Sequence, residues 1–295
     1  MFENFKKLSD NITTTKRTLV VAAAHDNHTL EAVFTAAKEF NIRYILVGNR
    51  EKILKMSTEL RETPDLDTII EGGDEEDCAQ KAVALIKEER GDALMKGILE
   101  TGTLLKAVLH KESGIRDSGT LSHLAILETP AYNKLIGITD GGMIPDPTLE
   151  QKADIVRNAV KYFRSIGYKR PMIAAICASE ACSQKMPETL DAAELQNMCN
   201  KGELGDCLLE GPVSFDIAVS RESASIKGFE SKISGITDIL LVPNITAGNV
   251  LAKGLIYWAG AKMAGCVLGA KTPIVLASRG ATSEEKLLSI MLSIL

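Results

Sequence analysis

Short apolar runs alternate with amphipathic stretches from near the N-terminus, and this rhythm limits the possible folds more than any other feature. Residues 18–24 (TLVVAAA), 43–48 (RYILVG), 68–72 (TIIEG) and 93–97 (ALMKG) read as strands. The stretches His28 to Phe40, Arg50 to Leu60, Glu75 to Arg90 and the one opening at Thr101 read as helices. Strands that alternate with helices are joined by right-handed crossovers into a parallel sheet with helices on its faces. The predicted class is therefore α/β.

Near residue 120 the rhythm breaks. Residues 122–130 (SHLAILETP) and 134–140 (KLIGITD) follow one another with only Ala131, Tyr132 and Asn133 between them, which predicts adjacent strands rather than another crossover. A second α/β domain is expected from here. It continues through a helix from Leu149 to Ile166, a strand at 172–179, a helix from Glu188 to Lys201, the run 210–220, a strand at 238–243 and a long apolar helix from Gly248 to Ala264. The strand and helix of residues 272–295 resemble the first unit again. The expected division is thus 1–121 plus 271–295 against 122–270, with two largely parallel sheets and a cleft between the domains, a favoured place for a ligand.

Charge excludes some functions. The 34 basic residues are dispersed among 39 acidic ones, for a net charge of -5, so no basic stripe exists to follow a phosphate backbone and nucleic acid is not an expected partner. The N-terminal residues lack an apolar signal-peptide core, and no later run is long and apolar enough for a membrane span, so a cytoplasmic protein without a membrane partner is expected. The six cysteines form no CxxC and mostly lie in apolar runs, which predicts reduced, buried thiols and no metal site.

No GxGxxG follows the first strand, so a dinucleotide turn has no support. In MKGILETGTLLK, Gly97 and Gly102 have the interval of a phosphate-binding loop, but Thr103 stands where its lysine belongs; the segment reads as a generic loop or an anion site at a helix start. In His25-Asp26-Asn27-His28 the better reading is a helix cap at Asp26 or Asn27, not a metal site. Asp140, Gly141 and Gly142 lie at a strand's carboxyl end, where open α/β sheets place ligands, and Thr148 with Gln151 forms a capping-box pattern. Gly248 and Asn249 are expected to open a helix. At the C-terminus, Thr282 and Glu285 satisfy a second capping box, which leaves Ser278 and Arg279 unexplained. An arginine at a helix start opposes the dipole unless it meets an anion, and phosphate fits its planar fork.

Four separated motifs then agree. Thr139-Asp140 with Pro147-Thr148-x-Glu150-Gln151, Glu210-Gly-Pro-Val-Ser-Phe215-Asp216, Pro243-x-x-x-Ala247-Gly248-Asn249 and Ser278-Arg279-Gly280 occur in an order that resembles the phosphate acetyl/butyryltransferase family over essentially the whole chain. The wording of the motifs is more similar to the butyryl branch. The resemblance implies a two-domain α/β subunit of the isocitrate/isopropylmalate dehydrogenase-like kind, with an interdomain active site. It implies conversion of butyryl-CoA or a related short-chain acyl-CoA and phosphate to acyl phosphate and CoA, with no cofactor, CoA thioester being a substrate. A homo-oligomer, at least a dimer, is implied as well.

By the same resemblance Ser278 and Arg279 stabilise the reacting carbonyl oxygen and hold phosphate, and Glu285 is the base toward the CoA thiol. That chemistry asks for these residue types. A thiol with a pKa near ~8.5 is mostly protonated at neutral pH, so a carboxylate beside it speeds attack, and the growing oxyanion needs donors. Lys106 and Arg116 are the phosphate-side cations to consider, and Asp140, Gly248 and Asn249 are candidates for binding phosphate or CoA. Glu285 and Asn244 stand where the acetyl branch usually has aspartate, and the loop from Gly97 to Lys106 is about a residue shorter. A phosphate acetyltransferase is one alternative. The other is a noncatalytic acyl-CoA-binding regulatory protein of the same fold, for which an upstream catalytic domain and a decayed Ser-Arg-Gly motif would be expected; this chain begins at Met1 and keeps the motif.

Overall fold

The computed structural model describes residues 2–10, 16–117, 119–277 and 281–295. In chain order it contains α1 (Phe5–Ser9), β1 (Thr18–Ala22), α2 (Asn27–Phe40), β2 (Arg43–Gly48), α3 (Arg50–Glu59), β3 (Ile69–Glu71), α4 (Glu75–Lys87), β4 (Ala93–Lys96) and α5 (Thr101–Val108). There follow β5 (Ser122–Glu128), β6 (Ile136–Thr139), α6 (Leu149–Ser165), β7 (Met172–Ile176), α7 (Pro187–Asn200), β8 (Leu208–Val213), α8 (Phe215–Val219), α9 (Arg221–Ile226), β9 (Ile239–Leu241) and α10 (Ile245–Ala259). The chain closes with β10 (Lys262–Leu268), β11 (Ile274–Val275) and α11 (Ser283–Ser293).

Two compact units emerge: residues 6–117 with 264–295, and residues 1–5 with 118–263. In the first, the strand order is β3-β2-β1-β4-β11-β10, parallel except where β10 meets β11. Leu19, Val21, Val33, Phe34, Met95, Val275 and Ile290 share its core, so the last strand and helix are integral to a unit that begins some 250 residues earlier in the chain. In the second unit the order is β5-β6-β9-β7-β8, with β5 and β6 antiparallel and the rest parallel. Its core gathers Leu127, Ile138, Ala174, Ile217, Leu240 and Val242.

The division falls at 117/118 and 263/264 instead of the expected 121/122 and 270/271. Three contacts account for the placement of residues 264–270 and of the opening residues. Val267 of β10 pairs with Ile274 of β11, which draws most of that strand into the first unit. At the other terminus, Leu135 N donates to Phe2 O at 2.9 Å and Phe5 N to Glu128 at 2.7 Å, which places the opening residues in the second unit.

The expected helix from Gly248 to Ala264 requires correction. Helix α10 starts at Ile245, where Asn244 caps it by accepting from Ala247 N at 3.0 Å, and stops at Gly260, whose φ of +63° ends the helix. The apolar residues beyond it form β10. A continuous apolar run does not by itself separate a helix from a buried strand. Both predicted capping boxes form, at Thr148/Gln151 and Thr282/Glu285, and Asp26 caps α2 by accepting from Thr29 N at 3.0 Å. Among the described residues, no helix is long and apolar enough to cross a membrane.

Candidate active site

In the unit of residues 118–263, strand β6 delivers Asp140 into a tight turn. One carboxylate oxygen accepts from Gly142 N at 2.8 Å and Met143 N at 2.9 Å, and the other from Ile144 N at 3.2 Å. The carboxylate is 2 % exposed, and burial pushes its pKa up against the pull of these amides. Asp140 thus spends its acceptors on organising the turn. Gly248 and Asn249 meet that turn from α10. A Cβ on Gly248 would lie 2.7 Å from Gly141 Cα, so the backbones touch where only glycines fit, and Asn249 Nδ2 donates to Gly141 O at 3.4 Å. Asp140, Gly248 and Asn249, far apart in sequence, are brought together.

The close approach makes a prediction. Gly248→Ala places a methyl against backbone, which cannot give way as a side-chain tip would. A loss of ~1–3 kcal/mol is expected, typical of overpacking. Urea unfolding measures it; Gly254→Ala on the same helix, where an added Cβ meets nothing within 4 Å, is the control and should not lose stability.

His123 joins this cluster, although its sequence neighbours offered no partner. Strands β5 and β6 pair antiparallel with Ala125 opposite Ile138, and continuing that register sets His123 across from Asp140. Its carbonyl accepts from Thr139 Oγ1 at 2.8 Å, and Gly142 leaves room for its ring: a Cβ there would lie 2.9 Å from the imidazole. The ring Nδ1 is buried with no hydrogen-bond partner among the described residues. Burial pushes the His123 pKa down, with the Asp140 charge acting in the opposite sense. The signal that reveals it is the hairpin register, not a motif.

The segments that follow β6, β7 and β9, with the starts of α6 and α7, line a cavity of about 410 Å³, its lining including Asp146, Lys152, Glu188, Asp191 and Asn244. That volume suits a small ligand. Lys152 is 6 % exposed and its ammonium is held by Asp191 at 2.7 Å. Neither residue stood out in the sequence, because the pair spans α6 and α7.

In the unit of residues 6–117 and 264–295, β11 runs parallel to β4, with Ile274 beside Leu94. The chain therefore leaves both strands at one edge, Leu276 and Ala277 from β11 and Gly97 from β4. Gly97 is required there: a Cβ would lie 2.2 Å from Ala23 O. Ser278, Arg279 and Gly280 lie outside the described residues. Immediately after them, Glu285 Oε2 accepts from Thr282 N at 2.8 Å while Glu285 N donates to Thr282 Oγ1 at 3.1 Å. The helix is anchored through Ser289, whose hydroxyl donates to Glu285 O at 2.7 Å and accepts from Gly265 N at 3.0 Å.

The two candidate cations separate. Lys106 on α5 makes an exposed ion pair with Glu76 at 3.4 Å, a contact of little energetic weight. Arg116 forms an antiparallel bridge with Ala270, where the chain approaches β11, so its backbone lies toward the opposite end of that strand from Leu276 and Ala277.

The family model described as phosphate acetyl/butaryl transferase matches residues 74–294. A phosphate butyryltransferase of Clostridium acetobutylicum is 39% identical over 277 residues, covering 94% of this chain and 92% of that protein. A phosphate acetyltransferase of Thermotoga maritima is 38% identical over 275 residues, covering 93% of each. Among solved structures, a branched-chain phosphotransacylase from Enterococcus faecalis V583 is similar with a TM-score of 0.82 and 32% identity, over 94% of this chain and 98% of that one. Since the match runs through all of the motif-bearing segments and the fold, this chain belongs to the phosphate acetyl/butaryl transferase family.

Proposed function

We propose that this chain catalyses the reversible reaction of butyryl-CoA, or a related short-chain acyl-CoA, with phosphate to give acyl phosphate and CoA. The observation that carries the reading is that the family match spans every candidate residue from Lys106 to Glu285, not the fold alone. An acetyl-transferring reading has support of its own in the comparable identity to the acetyltransferase of Thermotoga maritima.

In the direction of acyl-CoA synthesis, a Glu285 carboxylate oxygen takes the proton of the CoA thiol. Oε2 is engaged by Thr282 N, so the proton is assigned to Oε1. The thiolate sulfur bonds to the acyl carbon, and Ser278 and Arg279 stabilise the oxyanion that forms. The bond from carbon to the phosphate oxygen then breaks, phosphate departs against Arg279, and it takes the proton from Glu285. Lys106 is the better phosphate-side candidate of the two cations on topological grounds. Asp140, Gly248 and Asn249 act as positioning residues: Asp140 fills its acceptors with turn amides, and Gly248 supplies clearance.

Purified protein should release CoA from butyryl-CoA only when phosphate or arsenate is present, and a chelator should leave the rate unchanged. Thioester cleavage without phosphate would make it a hydrolase. Initial rates across acyl-CoA chain lengths decide between the butyryl and acetyl readings.

A homo-oligomer in the cytoplasm completes the proposal. Helix α10 buries only Gly248 and Ala252, while Val250, Tyr257 and Trp258 are 66%, 80% and 93% exposed along one stripe at helical spacing. Two such aromatics would bury ~300–500 Å² per partner, a large share of the ~800 Å² per partner in a standard interface. The proposed occupant is a second copy of this chain, meeting α10 against α10. Light scattering should report at least a dimer, and Trp258→Glu should reduce the mass toward that of a monomer; an unchanged mass would remove α10 from the interface. The cytoplasmic location is supported by six free thiols.

A further inference from the structure

Two of the thiols are neighbours. Cys199 is in the last turn of α7 and Cys207 immediately precedes β8, and the connection between them folds back so that their sulfurs stand 3.6 Å apart. Backbone bonds hold that connection, with Gly202 N donating to Cys199 O at 2.9 Å, Glu203 N to Met198 O at 3.0 Å and Cys207 N to Gly205 O at 3.0 Å. Cys199 is half-buried and Cys207 is 3% exposed. Arg170 lies alongside, its Nε donating to Cys207 O at 3.2 Å.

We infer that Cys199 and Cys207 form an oxidant-reactive dithiol, with Cys199 the thiol that meets a peroxide and Cys207 the thiol that resolves it. The two roles follow from burial and geometry: Cys199 is the more exposed residue of the two, and the buried Cys207 already has its sulfur in contact with that of Cys199. Either sulfur can donate in this contact, and Cys199 Sγ also stands 3.5 Å from Cys207 O; the hydrogen bond from Cys207 and, more weakly, the Arg170 charge pull the Cys199 pKa down. Burial and the same hydrogen bond push Cys207 up. The thiolate is the form that attacks a peroxide.

The chemistry balances with a hydroperoxide as oxidant. The Cys199 thiolate attacks one oxygen of hydrogen peroxide, the O–O bond breaks, hydroxide leaves and Cys199 becomes a sulfenic acid. Cys207 then attacks the Cys199 sulfur, the S–O bond breaks and a second hydroxide leaves, with the Cys207 proton lost in the step. Two thiols have given up two electrons and two protons, and the peroxide has become two waters. Forming the disulfide closes the sulfurs from 3.6 Å to ~2.05 Å. The bond would tie the end of α7 to the start of β8. At the far end of α7, Glu188 and Asp191 line the 410 Å³ cavity.

The test is oxidation of the native protein with hydrogen peroxide, alkylation of the remaining thiols after denaturation, and peptide mapping. The expected result is loss of two alkylatable thiols, a peptide linking Cys199 to Cys207, and full recovery with dithiothreitol. Cys182 is the exposed competitor, and Cys182→Ser should leave the crosslink intact. Cys207→Ser should leave a sulfenic acid on Cys199 that dimedone traps, and Cys207→Ala should do the same if serine is not tolerated in that buried place. Oxidation confined to Cys182, or a Cys199 that dimedone fails to label in both Cys207 variants, would overturn the inference.

Discussion

Glu285→Gln is expected to reduce turnover by ~10²–10⁴ while leaving the unfolding midpoint nearly where it is. On the proposed mechanism the side chain carries two loads. In the structure its carboxylate accepts from Thr282 N at 2.8 Å, closing the capping box that starts α11. A glutamine amide oxygen can accept that same bond, and glutamine is at home at this position of a capping box. It cannot take a proton from a thiol. Stability and catalysis are therefore separable at a single atom replacement, measured by thermal unfolding and by CoA release from butyryl-CoA. Glu285→Asp keeps the acid but shortens its reach, so partial activity is expected. Glu284 is the neighbouring alternative, and Glu284→Gln is the necessary control. Activity retained in Glu285→Gln and lost in Glu284→Gln would transfer the base to Glu284; activity retained in both would end the carboxylate mechanism.

Arg279→Lys is expected to raise the KM for phosphate and lower kcat/KM by ~10²–10³, the cost of losing an oxyanion donor. Charge is conserved in this replacement, but the planar fork, which the proposed mechanism sets against two phosphate oxygens at once, is not. A lysine ammonium can sit near one oxygen only. Arg279→Ala should be worse by the further loss of charge. If Arg279→Lys has wild-type kinetics at limiting phosphate, Arg279 contributes through its charge or its packing and the bidentate role fails.

Local chemistry was open to reading from the sequence. The strand-helix alternation through residue 97, the two capping boxes and the Asp26 cap depend on neighbours within about four residues, and all of them form. The Ser278-Arg279-Gly280 motif stood out in sequence as a candidate, since a cation at a helix start lacks a local reason, and it lies outside the described residues. The end of α10 was not legible, because residues 245–268 are apolar almost throughout and strand and helix share that signal until Gly260 divides them.

Other features depend on pairings between distant segments. The register of β5 against β6 sets His123 beside Asp140, and the meeting of Gly141 with Gly248 fits α10 onto the Asp140 turn. Lys152 finds Asp191 across two helices. Cys199 reaches Cys207 only because the connection between α7 and β8 folds back. Residue type and spacing record what a side chain can do and which near neighbours it can bond. Which distant group it meets is decided by strand register and helix docking, where burial of the two cores overrides local preference, and that is settled only when the chain is packed.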